Sequence, residues 1–311
     1  MATTIEKELS SLAPTQGTLV SIGVFDGVHL GHQTLIKELV HQARANKLLS
    51  AVITFRQHPM ALLAPGEVVP SLTSLTERIR LMKGIGVDIV ITLTFSHELA
   101  ELGAQPFVML LQQYLKMQGM ILGWDFALGR HREGSLEALH EMGKKLGFST
   151  EVVGPVKYRG EIISSTAIRQ ALSDGDMARA NAMLGRPFSL EGCVIAGEGR
   201  GTELGFPTAN LDLDPHQALP LDGVYAAIAH FEGRTKPAAT FIGHRPTFGG
   251  AERIVEAHVL DYSGNLYRKS LKIDIIERLR GEQKFDSAEA LKAQMEKDVL
   301  TIRKRLDTIQ R

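Results

Sequence analysis

Two histidines three residues apart, His29 and His32, flank Gly31 in the stretch from Gly23 to His32, Gly-Val-Phe-Asp-Gly-Val-His-Leu-Gly-His. An imidazole N–H donates to a phosphate oxygen and offsets charge developing on a departing pyrophosphate. Glycine lets the backbone come close to such a ligand. Gly23, Phe25, Asp26 and Gly31 are counted with this binding turn. Transfer of a nucleotidyl group needs no protein nucleophile, because an acceptor phosphate attacks in line and the protein positions and neutralises. The same histidine pair suits a metal, but no third protein ligand is evident nearby. Either histidine alone also suits a structural role.

A second group follows about a domain length later, Ile-Ser-Ser-Thr-Ala-Ile-Arg from Ile163 to Arg169. Its hydroxyls cap a helix, and Arg169 reaches phosphate from the first turn. Capping strings are common, so this group gains meaning beside His29 and His32.

The stretch from Gly197 to Leu211 is Gly-Glu-Gly-Arg-Gly-Thr-Glu-Leu-Gly-Phe-Pro-Thr-Ala-Asn-Leu. It is not a dinucleotide fingerprint: no helical pattern follows and Pro207 interrupts. Backbone N–H groups of a glycine-rich loop, here Gly199 and Gly205, can still wrap phosphates. Thr208 and Asn210 offer the hard oxygen ligands that Mg²⁺ takes beside nucleotide phosphates. A turn with a polar cap is the plain alternative. In Arg253–Tyr262, a period of two sets Ile254, Glu256, His258 and Leu260 on one face and Val255, Ala257 and Val259 on the other. An inward Glu256 could take a proton from an attacking hydroxyl, and a solvent-facing glutamate on an edge strand fits the same pattern.

Strands and helices alternate in the first half. Thr18–Phe25, Ala51–Phe55, Val87–Phe95 and Met120–Gly123 read as strands. Gly31–Asn46, Thr76–Lys83 and Phe107–Leu115 read as helices. This alternation predicts βαβ units and a parallel sheet, with ligands at the carboxyl ends of its strands. From Phe188 to Arg280 short strands take over, at Gly223–His230, Ala239–Ile242, Arg253–Tyr262 and Ser270–Ile276, as in a small barrel or sandwich. A helix over Asp286–Leu306, capped by Asp286 with Glu289, carries a stripe of Leu291, Met295, Val299, Ile302 and Leu306. That stripe is expected to pack on the barrel. The division falls near Gly185, giving domains over 1–184 and 185–311.

Lys+Arg and Asp+Glu both number 35, so the net charge is zero, without the basic excess that a nucleic-acid partner needs. One cysteine, Cys193, precludes an internal disulfide or a cysteine zinc site. A reducing, cytoplasmic setting is expected. Met1–Ser11 is polar and lacks the apolar core of a secretory signal. No apolar run is long enough to span a bilayer.

Taken together, the strings resemble bacterial bifunctional riboflavin kinase/FMN adenylyltransferases. The first half is similar to their His-x-Gly-His nucleotidyltransferase domain. His58-Pro59 after Thr54-Phe55, and the stretch from Gly123 through Asp125 and Phe126 to Gly129 and Gly134, add to the likeness. The second half resembles riboflavin kinases in order: Gly205 to Asn210, Gly223-Val-Tyr225, Arg245 to Phe248, Glu256, then Leu279-Arg280 before Lys284-Phe285. The resemblance implies a Rossmann-like α/β nucleotidyltransferase domain, then a six-stranded Greek-key barrel with a C-terminal helix. It implies ATP phosphates at His29 and His32, nucleotide at Ser164, Thr166 and Arg169, and flavin or nucleotide beside Asp125 and Phe126. In the barrel it implies Mg²⁺-ATP at Thr208 and Asn210, beside Pro207, and Glu256 as the base that activates the ribityl hydroxyl. The expected partners are ATP, riboflavin and FMN, with no nucleic acid and no membrane, and self-association left open. Three positions depart from the family pattern: Gln57 where proline is usual, Leu128 where a second phenylalanine is usual, and Thr240-Phe241 where Ala-Asn is frequent. Alternative readings are a kinase with an impaired first half, which would accumulate FMN, and a flavin-binding protein without chemistry.

Overall fold

The computed structural model describes residues 4–64, 66–197, 200–247 and 250–309. The chain forms two compact units, Met1–Ser165 and Thr166–Arg311. The first unit runs α1 (Thr4–Ser10), β1 (Thr18–Ile22), α2 (Leu30–Ala45), β2 (Leu49–Phe55), α3 (Met60–Leu63), α4 (Leu75–Ile85) and β3 (Ile89–Leu93). It continues with α5 (His97–Glu101), α6 (Ala104–Leu115), β4 (Met117–Gly123), α7 (Leu136–Leu146), β5 (Ser149–Val153) and the hairpin β6 (Lys157–Tyr158) and β7 (Glu161–Ile162).

Five parallel strands form one sheet in the order β3-β2-β1-β4-β5. β1 lies at the centre and is buried along its whole length, which requires apolar residues on both faces. Leu19, Val52 and Ile121 meet the α2 stripe of Ile36, Leu39, Val40 and Ala43 on one side. Val20, Ile53 and Met120 meet Phe107, Val108 and Leu111 of α6 on the other. Each large side chain so buried stabilises the unit by about 1.5–3 kcal/mol.

β1 ends at Ile22 rather than the expected Phe25. Phe25 and Val28 take left-handed φ values of 52° and 39°, and Gly27 takes 80°. A strand cannot continue through such angles. β5 escaped the sequence pattern because its burial is only partial and does not alternate.

The second unit opens on α8 (Ser165–Ser173) and α9 (Met177–Leu184), then β8 (Phe188–Ile195), α10 (Arg200–Glu203), β9 (Ala209–Asp212), β10 (Gly223–Phe231), β11 (Arg234–Thr247), β12 (Gly250–Val259), β13 (Ser270–Arg280) and α11 (Ala288–Ile309). Six strands close a barrel in the order β10-β11-β12-β9-β8-β13, as the resemblance implied. β8 alternates, with Phe188, Leu190 and Val194 buried and Glu191, Cys193 and Ile195 exposed, and it and β9 stand outside the strands that the sequence pattern picked out. The expected boundary at Gly185 coincides with the end of α9, where Gly185 takes φ 70°. By its contacts α9 belongs to the barrel. The Asn181 amide donates to the Ile275 carbonyl at 3.0 Å and accepts from the Phe188 N–H at 2.8 Å.

On β10, Ala226 and Ile228 face α11, where Ile302 and Leu306 cover them with Leu260. Their alternates Tyr225, Ala227 and Ala229 are fully buried on the other face, inside the barrel. The α11 cap differs from expectation: Ser287, not Asp286, accepts the Ala290 N–H at 3.2 Å, since the helix starts at Ala288.

Candidate functional site

In the first unit the strand order reverses between β1 and β4, and ligands of open α/β sheets bind at such a crevice. The turn after β1 lies there. His29 is the N-cap of α2, and its Nδ1 accepts the His32 N–H at 3.3 Å. With Nδ1 an acceptor, the neutral form of the ring carries its proton on Nε2. The two imidazoles stack at 3.6 Å with planes 19° apart, and Phe25 meets His32 edge-on at 5.2 Å. A Cβ at position 31 would lie 3.1 Å from the His29 ring, so the glycine gives the pair its room. Burial first, then electrostatic repulsion from the neighbouring His29 and Arg78, holds the His32 pKa well below the ordinary histidine value. His32 is therefore neutral at neutral pH, and its Nδ1 is buried without a partner among the described residues.

Other side chains hold this turn in shape. Asp26 is buried, and its carboxylate accepts the N–H groups of Leu72 and Thr73 at 3.0 and 3.2 Å. Those bonds fasten the turn, so its carboxylate faces backbone from a distant loop. The Thr73 hydroxyl accepts the Gly27 N–H at 3.1 Å. Arg78 donates to the Val24 carbonyl at 2.7 Å and the Phe55 carbonyl at 3.3 Å, joining the ends of β1 and β2. The Ser165 hydroxyl donates to the Asp26 carbonyl at 2.9 Å, and the Ile163 carbonyl would lie 3.7 Å from a Cβ on Gly31. The Ile163–Ser165 segment therefore meets the histidine turn, with Ser165 as one tie between them. Thr166 and Arg169 follow on α8, exposed and half-buried respectively.

At the end of β4, beside β1, the Phe126 N–H bonds back to the Gly123 carbonyl at 3.1 Å. Asp125 is exposed there, while Phe126 is half-buried against the sheet core. Leu128 pairs with Gly134 in an isolated bridge, so this departure from the family pattern sits in a small backbone clasp. Gly23 donates its N–H to the Ile53 carbonyl at 3.0 Å.

The second unit holds a cavity of about 470 Å³ lined by Gly201, Phe206, Thr208, Asn210, Glu256 and His258 from the barrel side and by Leu291, Met295 and Val299 from α11. Glu256 pairs with Asn210 and Ala257 with Ala209 across β12 and β9. Directly paired residues share a face, so Asn210 stands beside Glu256, and Thr208 lies on the same side by the period of two. The Thr208 hydroxyl is 3.5 Å from Glu256 Oε2. Glu256, with Ile254 and His258, thus faces the cavity between barrel and helix, while Val255, Ala257 and Val259 turn inward and are buried. Of the two faces left open for Glu256, the structure gives it the outer one, enclosed beneath α11.

Two family models match the chain: FAD synthetase over residues 12–167 and riboflavin kinase over 184–306. The chain is 38% identical over 295 residues to the bifunctional riboflavin kinase/FMN adenylyltransferase of Escherichia coli, covering 94% of each chain. The chain belongs to the bifunctional riboflavin kinase/FMN adenylyltransferase family. The Pseudomonas fluorescens member is 37% identical, with 95% of each chain covered. A solved structure titled as a macrolide-efflux protein from Streptococcus pneumoniae superposes with a TM-score of 0.87 at 31% identity, covering 93% of this chain and 95% of that one. Among the described residues no helix is long and apolar enough to cross a membrane.

In this family member, Thr73, Arg78 and Asp298 help to shape the two sites without a sequence signal, whereas Arg280 stands in one of the strings that carry the resemblance. Arg78 and Thr73 support the first site from α4 and the loop before it. Arg280 and Asp298 support the second. Their side chains pair at 2.7 Å and both line the cavity, although they lie on different elements. The α11 stripe also does two things. Ile302 and Leu306 pack on the barrel, as expected, whereas Leu291, Met295 and Val299 form a cavity wall. Gly205 takes φ 89° in the turn before Phe206, and Pro207 is exposed. Gly199 and Phe248 lie outside the described residues.

Proposed function

We infer that this chain phosphorylates riboflavin to FMN with ATP at the barrel and adenylylates FMN to FAD with a second ATP at the sheet. The observation that carries the reading is the match of one chain to both family models, in register with bifunctional relatives over nearly its whole length.

At the sheet, a phosphate oxygen of FMN attacks the α-phosphorus of ATP and pyrophosphate leaves. His29 donates from Nε2 to a phosphate oxygen, and neutral His32 buttresses it by stacking. Ser164, Thr166 and Arg169 contact the nucleotide, and Asp125 and Phe126 lie by the flavin. Ser165 joins the Asp26 turn to this segment. Positioning and charge neutralisation do the chemical work.

At the barrel, the riboflavin 5′-hydroxyl attacks the γ-phosphorus of ATP, Glu256 accepts the hydroxyl proton, and ADP leaves. The apolar wall of Leu291, Met295 and Val299 suits a flat ring system, and the polar face suits phosphates. Thr208 and Asn210 fit a hard divalent ion: they present neutral oxygens beside a carboxylate, and Gly197 leaves the space that a Cβ would take 2.2 Å from the Asn210 amide. Mg²⁺ held there would neutralise phosphate charge when bound. The kinase half lies within 185–311 and the adenylyltransferase half within 1–184. A reducing cytoplasm suits the exposed thiol of Cys193.

The test is a time course with purified protein, riboflavin, ATP and Mg²⁺, with flavins separated by chromatography. FMN first and FAD following is the expected result. FMN alone would leave only the kinase half of this reading, and no phosphorylated flavin would overturn it.

A further inference from the structure

The β9–β12 ladder ends abruptly. Its two pairs are Glu256 with Asn210 and Ala257 with Ala209. The next rung would set His258 against Thr208, and beyond Thr208 stands Pro207, which has no N–H to give a ladder. At this point a side chain takes over. His258 Nδ1 lies 2.9 Å from the Pro207 carbonyl oxygen. A carbonyl only accepts, so Nδ1 carries the proton of that bond. The same ring meets Phe206 edge-on at 5.3 Å and 71°.

We propose that His258 is a positioning residue for the kinase reaction, supplying through its imidazole the tie that Pro207 denies to the backbone. The proposal rests on the kinase reading of this cavity. Thr208 is then held between two fixed neighbours, Ala209 in the ladder and Pro207 on the imidazole. Upstream, the Phe206 N–H bonds to the Gly201 carbonyl at 2.7 Å, so the glycine-rich segment hangs from the same anchor. Its free alternative is a proline-containing strand end one residue from the hydroxyl that faces Glu256. A strand end without cross-strand bonds samples many backbone states, and reacting groups lose rate steeply when displaced by an ångström. His258 touches the segment that presents Thr208, which places its effect on the nucleotide side of the cavity.

The experiment uses the full chain with His258→Ala, His258→Asn and His258→Gln, measuring kcat and the KM for ATP and for riboflavin. FAD formation from supplied FMN serves as the internal control. His258→Ala is expected to lower kcat/KM for ATP about tenfold, the weight of one lost hydrogen bond, with the riboflavin KM little changed. His258→Asn should restore most of the loss, because its amide N–H sits where Nδ1–H does, and His258→Gln, whose amide reaches further, should not. An alanine variant with wild-type ATP kinetics overturns the proposal, as does an asparagine variant no better than alanine. Should the alanine variant fail to fold, the asparagine-against-glutamine comparison decides in the same way. Absence of kinase activity in the unaltered protein would instead overturn the kinase reading itself.

Discussion

Asn210 and Glu256 face each other as one antiparallel pair of β9 and β12. An amide oxygen suited to a divalent ion and a carboxylate suited to a proton therefore stand side by side, and ladder geometry rather than a flexible loop keeps them there.

Glu256→Gln keeps the shape of this pair and removes the base. Riboflavin phosphorylation should fall roughly a hundred- to ten-thousandfold, while FAD formation from supplied FMN continues. Chromatographic rates for each step check both halves. An undiminished kinase rate would take Glu256 out of the mechanism.

His29→Ala removes the Nε2 donor and the N-cap of α2. FAD formation should drop roughly a hundred- to a thousandfold, with FMN formation preserved in the same tube. Loss of both activities would mean that the assignment of the two sites to the two halves is mistaken.

Neutral His32 ties stability to pH. Its folded pKa lies below the ordinary 6.5, so the unfolded chain binds the proton first as pH falls. The contribution is complete above about 6.5 and is lost as pH drops from there toward the folded value. Thermal unfolding between pH 8 and pH 5 should show this loss, and His32→Asn should show a shallower one. Equal slopes would mean that His32 does not stay neutral.

Arg280 holds both oxygens of Asp298, donating from Nη2 to Oδ2 at 2.7 Å and from Nε to Oδ1 at 3.2 Å. Their side chains are only 17% and 10% exposed, so an orphaned charge is costly. Asp298→Ala should destabilise the barrel unit by about 3 kcal/mol and raise the riboflavin KM, because α11 supplies the apolar wall. Denaturant melts and steady-state kinetics read the two effects separately.

A fragment starting at Thr166 should be more stable than one starting at Arg186 by about 2 kcal/mol, since the shorter one loses the Asn181 bonds to Phe188 and Ile275. Both should phosphorylate riboflavin if the barrel holds the whole kinase site. Melting curves and a kinase assay on the two fragments decide.

Much of the site was legible because its residues sit close together in the chain. His29, Gly31 and His32 share one turn, and Thr208 and Asn210 share one strand end. The alternation around Glu256 assigned it a face correctly as a set with Ile254 and His258, but a period of two does not say which face is inside. The barrel closure and the position of α11 decided that. The first strand was read too long because Val24 and Phe25 are apolar, and hydropathy carries no information about a left-handed φ.

The sequence by itself determined the alternating first half, the strand-rich second half and, through the family resemblance, the two chemistries, because periodicity and motifs are written along the chain. Only the tertiary structure decided which distant groups complete each site. Arg78 reaches the ends of β1 and β2, Ser165 closes on Asp26, and His258 ties Pro207. Each joins segments far apart in sequence, and such contacts exist only once strand order and register have brought those segments within hydrogen-bond reach.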